Sequence, residues 1–320
     1  MARYLIGRFL GLAAVLLVTS FVVFSTVHLA PGDPVAFLLR GHSATPEARA
    51  AIRAQYHLND PFFTQYGKWL GSMLSGDFGR SVQFRQDVGS LVAARLPSTA
   101  FLVGYSALLV ALGGVLVGIL AALRPGLVDR LVLLGTGVAT ATPPFVSAIA
   151  LVSLFSVQLH WFPGPGGSGT GFTDRLYHLT LPAFALAVTL AGLLARVTRS
   201  AMLDELGREH VEVARSRGVA EGTVVRRHVL RGALGPIVTV GGTTLAGLLV
   251  STSIVETAFN VPGLGSLLVQ SVTVKDFPVV QAITLLTVAA FVAVNLVVDL
   301  LAPLIDPRLT LTRSSRRGAS

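Results

Sequence analysis

Apolar residues fall along the chain in six long blocks, roughly 9–29, 98–123, 131–159, 179–197, 234–257 and 279–303, with polar stretches between them. Each block is long enough to cross a hydrocarbon core of about 30 Å at about 1.5 Å per residue. A backbone in lipid must satisfy its own hydrogen bonds, so runs of this length predict helices. The predicted fold class is an all-α membrane protein with six transmembrane helices. The third block contains Thr142-Pro143-Pro144. Two prolines remove two helix donors and clash with the preceding turn, which predicts a kink. An ordinary membrane-helix kink is one reading; a flexible point lining a pathway is the other.

The polar stretches differ in character. Residues 31–97 carry mixed charges and helix-start signals. Thr45-Pro46-Glu47 supplies an N-cap residue, a first-turn proline and an acid at the positive helix end, and Asn59-Asp60-Pro61 repeats the pattern before FFTQYGKWLGSML. A small helical subdomain is expected there. Residues 160–177 are rich in Gly and Pro and read as a flexible loop. At the N-terminus, Arg3 and Arg8 precede the run Phe9 to Ala30, as in a signal peptide. The run exceeds an h-region of about 7–15 residues, and His28-Leu29-Ala30 leads into Pro31, a poor cleavage site, so an uncleaved first span is expected.

Composition sharpens this picture. Of 320 residues 52% are hydrophobic and 13% charged, against about 25% charged in soluble domains. A net charge of +9 raises the possibility of nucleic acid, but the basic residues cluster between the apolar blocks. With the N-terminus inside, sixteen basic residues fall on the inner side and nine on the outer, which places both termini in the cytoplasm and residues 31–97 and 160–177 outside. Cysteine is absent, which excludes disulfides, thiolate metal sites and cysteine nucleophiles. His28, His160 and His178 are scattered at span ends, so no metal site is expected. No G-x-x-x-x-G-K-[ST], H-E-x-x-H or G-x-S-x-G occurs. Glu256 and Asp299 lie near span ends, where an ionisable group is either a satisfied structural feature or functional. Gly241, Gly242 and Gly247 are candidates for close helix packing.

The stretch DELGREHVEVARSRGVAEGTVVRRHVLRGALGP, between the fourth and fifth blocks, reads as a helix up to Arg217, broken by Gly218. A second basic amphipathic helix follows, with Val224, Val225, Val229 and Leu230 among Arg226, Arg227 and Arg231. Such a helix–turn–helix suits docking in a partner's cleft; lying on anionic headgroups is the alternative.

Glu212-Val213-Ala214 followed by Gly218 resembles the EAA motif of ABC-importer permeases. An ordered series resembles the dipeptide/oligopeptide/nickel branch of that family: Leu29-Ala30-Pro31-Gly32-Asp33-Pro34, Gly76-Asp77-Phe78-Gly79, His178-Leu179-x-Leu181-Pro182, Val255-Glu256-Thr257-Ala258-Phe259, Pro262-Gly263-Leu264-Gly265, Lys275-Asp276-Phe277-Pro278 and Asp306-Pro307-Arg308. Departures are Val213 for the middle alanine of the triplet and Arg231 for the proline that ends the wider pattern.

The resemblance implies a type I ABC-importer permease fold in a bacterial plasma membrane. Its parts would be a first span (1–30), an extracytoplasmic helical subdomain (31–97), a five-span core (98–306) with the cytoplasmic coupling loop 198–233, and a cytoplasmic tail (307–320). It implies a non-enzymatic subunit forming half of an alternating-access pathway for dipeptides or oligopeptides. Nickel chelate or glutathione-like cargo is the alternative, and an ATP-independent secondary transporter a further one. It implies no cofactor on this chain, with ATP and magnesium at partner subunits. The implied partners are a sister permease, two ATP-binding subunits, an extracytoplasmic substrate-binding protein and membrane lipid, with no nucleic acid. The residues implied in coupling are Glu212, Val213, Ala214, Arg215, Gly218, Arg226 and Arg227. Those implied in the pathway or its gating are Thr142, Pro143, Pro144, Glu256, Gly263 and Gly265.

Overall fold

A computed structural model describes residues 2–29, 46, 60–166 and 171–305. The described chain is almost wholly helical, with one isolated antiparallel bridge between Arg80 and Asp87. Its helices are α1 (Ala2–Leu29), α2 (Phe62–Leu74), α3 (Val88–Leu123), α4 (Leu127–Ala141), α5 (Pro144–Leu151), α6 (Phe172–Leu206), α7 (Glu209–Ser216), α8 (Leu230–Ala258), α9 (Leu264–Thr273) and α10 (Phe277–Ile305). Five are long and apolar enough to span a membrane, α8 with the turns before it counted in. A sixth span results if α4 and the helix after it, bent by 105°, are one broken span. The signals at Thr45 and Glu47, Asn59, and the segment from Asp306 onward lie outside the described residues.

The chain divides into two compact units, Met1–Pro97 with Gly263–Ala290, and Ser98–Pro262 with Phe291–Ser320. In the first, Phe21 and Phe24 of α1 meet Phe62, Tyr66 and Trp69 of α2, with ring centroids 5.3–5.7 Å apart. Ser20 Oγ lies 2.7 Å from Tyr66 Oη. Helix α2 forms where expected, but Pro61 is its cap and no side chain caps it. Asp60 instead pairs with Lys68 at 2.8 Å. Val88, Leu267, Val279 and Ile283 form this unit's core. The apolar-block pattern does not predict α9, which is too short to span. Asp276, 1% exposed, ties the 81–84 turn to the α9–α10 corner. It accepts from Ser81 Oγ at 2.5 Å, Gln83 N at 3.0 Å and Val82 N at 3.3 Å.

In the second unit α6 is central and packs against α4, α5 and α8. Close approach depends on glycines. A Cβ on Gly118 of α3 would lie 2.6 Å from the Ala195 carbonyl oxygen, and one on Gly114 would lie 2.8 Å from Leu194 Cβ. This Gly-x-x-x-Gly pair lets α3 lie against the small-residue face of α6. On α8, a Cβ at Gly242 would collide with Val298, whereas Gly241 has only an ordinary contact and Gly247 faces open space. One of the three candidate packing glycines therefore has that role.

The proline pair acts as expected and more strongly. Thr142 is extended (φ −86°, ψ 120°), as a residue before proline tends to be, and Pro144 opens α5. Thr189 Oγ1 donates to the Thr142 carbonyl at 3.1 Å, satisfying one acceptor freed by the break. α6 starts at Phe172, seven residues before the apolar block at 179, after Gly171 at φ +92° and with Asp174 in its first turn. The loop before it is correspondingly shorter than the Gly/Pro content predicts.

Candidate functional site

α6 ends at Leu206, and Gly207 and Arg208 lead into α7. Gly218 has φ +75°. Its N–H donates to the Arg215 carbonyl at 2.9 Å, and Val219 N–H donates to the Ala214 carbonyl at 3.2 Å. That pair is a Schellman cap, closed by a residue in the left-handed region. The turn then runs through Glu221–Thr223 and a π-helical turn, Val224–Val229, directly into α8. The second amphipathic helix of the sequence reading is thus the opening of the fifth span.

The turn is held by one apolar and one ionic contact. Val211 and Ala214 of α7 pack with Val224 and Val229, all at most 7% exposed. Arg215 reaches Glu221 in a two-pronged pair, 2.6 Å through Nη2 and 3.1 Å through Nε. The hydrogen bond from Arg215 to Glu221 raises the Arg215 guanidinium above its ordinary range.

The candidate coupling residues therefore separate. Ala214 faces the chain's own core: bulk there would push α7 off Val224 and Val229. Val213 is 40% exposed and Glu212 is exposed, so both lie on the outer side of α7, with Arg217 exposed just beyond its end. The Glu212 N–H donates to the Arg208 carbonyl at 3.4 Å, and its carboxylate acts on Arg215 through charge. Arg226 and Arg227 are exposed and border an open depression of about 760 Å³ with His228, Leu230, Arg231 and Leu234.

Among the candidate pathway residues, Thr142, Pro143, Pro144 and Glu256 belong to the second unit, and Gly263 and Gly265 to the first. Glu256 is fully buried and accepts a 2.6 Å hydrogen bond from Thr99 Oγ1. Gly263 opens α9 in extended backbone, and Ser266 Oγ accepts from its N–H at 3.1 Å. Among the described residues no cluster of three His, Cys, Asp or Glu is placed to hold a metal.

Three charged side chains are missed by sequence reasoning. Arg199 of α6 grips Asp129 of α4 with two nitrogens at 2.5 and 2.6 Å, tying the first turn of α4 to the side of α6. Glu205, one residue before the end of α6, is 5% exposed. Its signal was its place in an otherwise apolar helix period, next to Met202 and Leu206.

Residues 114–311 match the family described as binding-protein-dependent transport system inner membrane component, and residues 1–103 match its N-terminal counterpart. The chain belongs to this family. It is a permease subunit of a bacterial ABC importer, a transport component of the inner membrane. It is 38% identical over 310 residues to the glutathione transport system permease protein GsiC of Salmonella typhimurium, covering 97% of this chain and 99% of that one. It is 37% identical over 319 residues to the oligopeptide transport system permease protein AppB of Bacillus subtilis, with the same coverage. The inward-facing MetNI methionine ABC transporter aligns with a TM-score of 0.54 at 20% identity, over 67% of this chain and 96% of that one. An amino acid ABC transporter aligns with a TM-score of 0.53 at 18% identity, over 67% and 93%. These neighbours share the type I importer fold.

Proposed function

We propose that this permease forms half of an alternating-access pathway for short peptides, paired with a sister permease. Two ATPase subunits hydrolyse ATP with magnesium, and an extracytoplasmic binding protein delivers cargo. The observation that carries the peptide class is the near full-length likeness to both an oligopeptide and a glutathione permease, since glutathione is itself a tripeptide. That second relative also favours a narrower reading, in which the cargo is a γ-glutamyl tripeptide.

Residues 209–218 are the coupling element, touching the ATPase through Glu212 and Val213, while Ala214, Arg215 and Gly218 keep its shape. Arg226 and Arg227 extend that surface. Thr142, Pro143, Pro144, Glu256, Gly263 and Gly265 are proposed to line or gate the path. Residues 31–97 form an extracytoplasmic subdomain that helps dock the binding protein. Residues 98–306 are the core, and both termini, with the tail 307–320, are cytoplasmic.

The test is uptake by the intact complex in proteoliposomes, with a labelled dipeptide, a labelled tetrapeptide and glutathione as probes. ATP-dependent uptake of at least one, insensitive to a proton uncoupler, is expected. Failure of all three, with a nickel chelate taken up instead, would overturn the peptide reading. Uptake that persists without ATP and collapses with uncoupler would overturn the ATP-driven one.

A further inference from the structure

A buried carboxylate stands at the joint between α6 and the loop. Glu205 reaches the first turn of α8. A Cβ placed on Gly232 would lie 2.5 Å from its carboxyl carbon and from Oε2, and 2.9 Å from Oε1. A side chain at position 232 would have to displace that carboxylate. From the other side, Arg208 Nη1 stands 3.1 Å from Oε1 and His210 Nε2 stands 3.8 Å from Oε2. The His210 ring in turn lies 6.3 Å from that of His228, in the π-helical turn. One carboxylate thus touches the end of α6, the start of α7 and the backbone of α8.

A carboxylate is expensive to bury, and an apolar residue would fill the same space at no such cost. What the charge adds is direction. The linker between α6 and α7 is only Gly207 and Arg208, and the valine cluster beneath α7 is non-directional apolar packing. An ion pair with Arg208, seated against the open flank of Gly232, sets how the linker leaves α6 and where α8 begins.

We propose that Glu205, docked in the Gly232 notch, is a positioning residue that joins α7 to the start of the fifth span as one rigid body. A displacement imposed on α7 then reaches α8 instead of being lost at the Gly207 joint. This rests on reading 209–218 as the coupling element.

The absence of cysteine allows a clean test. Spin labels at Arg217→Cys and Thr239→Cys, both exposed, report the distance between the loop and α8 in the assembled complex in nanodiscs, once the doubly labelled parent is shown to bind the ATPase subunits and transport cargo. It is measured nucleotide-free and after trapping with ATP and vanadate. The unsubstituted background should give one narrow distance in both states. Glu205→Ala and Gly232→Ala should broaden it or make it depend on nucleotide, with the ATPase subunits still bound. Their ATP hydrolysed per cargo moved should rise about fivefold or more, the low end of a typical coupling between sites. If Glu205→Ala fails to assemble, Glu205→Gln keeps the shape, removes the charge and should broaden the distance less. A distance that stays narrow in all three variants, or is already broad without them, would overturn the proposal. The coupling reading fails separately, if Val213→Asp keeps the ATPase bound and transport intact.

Discussion

Ala214 and Val213 are neighbours with opposite duties. The Ala214 side chain is 7% exposed against Val211, Val224 and Val229, whereas Val213 is 40% exposed. Ala214→Trp should therefore damage the loop itself, because added bulk in a packed contact costs about 1–3 kcal/mol. Val213→Asp should leave the loop folded and weaken only ATPase binding. Limited proteolysis of the loop separates the two: Ala214→Trp should be cut faster and Val213→Asp should match the parent. Equal protection for both would mean that Ala214 does not hold the loop. A second contrast concerns α8, where Gly242 meets Val298 and Gly247 meets nothing. Gly242→Leu should lower the thermal stability of the purified subunit by about 1–3 kcal/mol, and Gly247→Leu should leave it near the parent. The sequence shows these glycines as a set; which one packs depends on the rotation of two helices, which periodicity alone does not give.

At the level of elements, hydropathy located the long helices because lipid imposes a length and an apolar composition on each. Where polarity and helix coexist, that signal fails. The first two turns of α6 contain Asp174, Arg175 and His178, so the apolar block starts late. α9 is only ten residues long and lies below any spanning threshold. The break after Thr142 was legible because proline acts locally. The loop's break at Gly218 was legible for the same reason, whereas the Glu205–Gly232 contact joins residues 27 positions apart and leaves no local mark. The same Schellman cap recurs after α2, α7, α8 and α9, with Gly76, Gly218, Asn260 and Lys275 at positive φ. Only two of these are glycines, so the sequence announces only half of them. After the last cap Asp276 carries three donors. Asp276→Ala would leave buried donors unpaired, at about 1–3 kcal/mol for each group that water cannot reach. Hydrogen exchange at residues 81–84 should rise markedly in Asp276→Ala and less in Asp276→Asn, which keeps an acceptor. Unchanged exchange in both would show that the turn does not depend on this carboxylate.

For the whole molecule, orientation in the bilayer decides which loops can meet an ATPase. Helix length and apolar character are the same from either side of a bilayer, so the argument rests on charge. Sixteen basic residues fall on the side that holds 196–231 and nine on the side that holds residues 40–95, and positively charged loops are retained in the cytoplasm. The proposed coupling loop needs that same side, because ATP is cytoplasmic. The two lines of reasoning are independent, and a single measurement tests both. Lys68 and Ala220 are exposed, one on α2 and one in the loop. Lys68→Cys gives up an exposed pair with Asp60, worth about 0–1 kcal/mol, and the fold should persist. An impermeant thiol reagent applied to intact cells, with any outer wall permeabilised, should label Lys68→Cys and spare Ala220→Cys. Both should react once the inner membrane is opened, which controls for accessibility. Labelling of Ala220→Cys in intact cells would invert the topology, put residues 209–218 out of reach of ATP-driven subunits, and remove the coupling assignment with it.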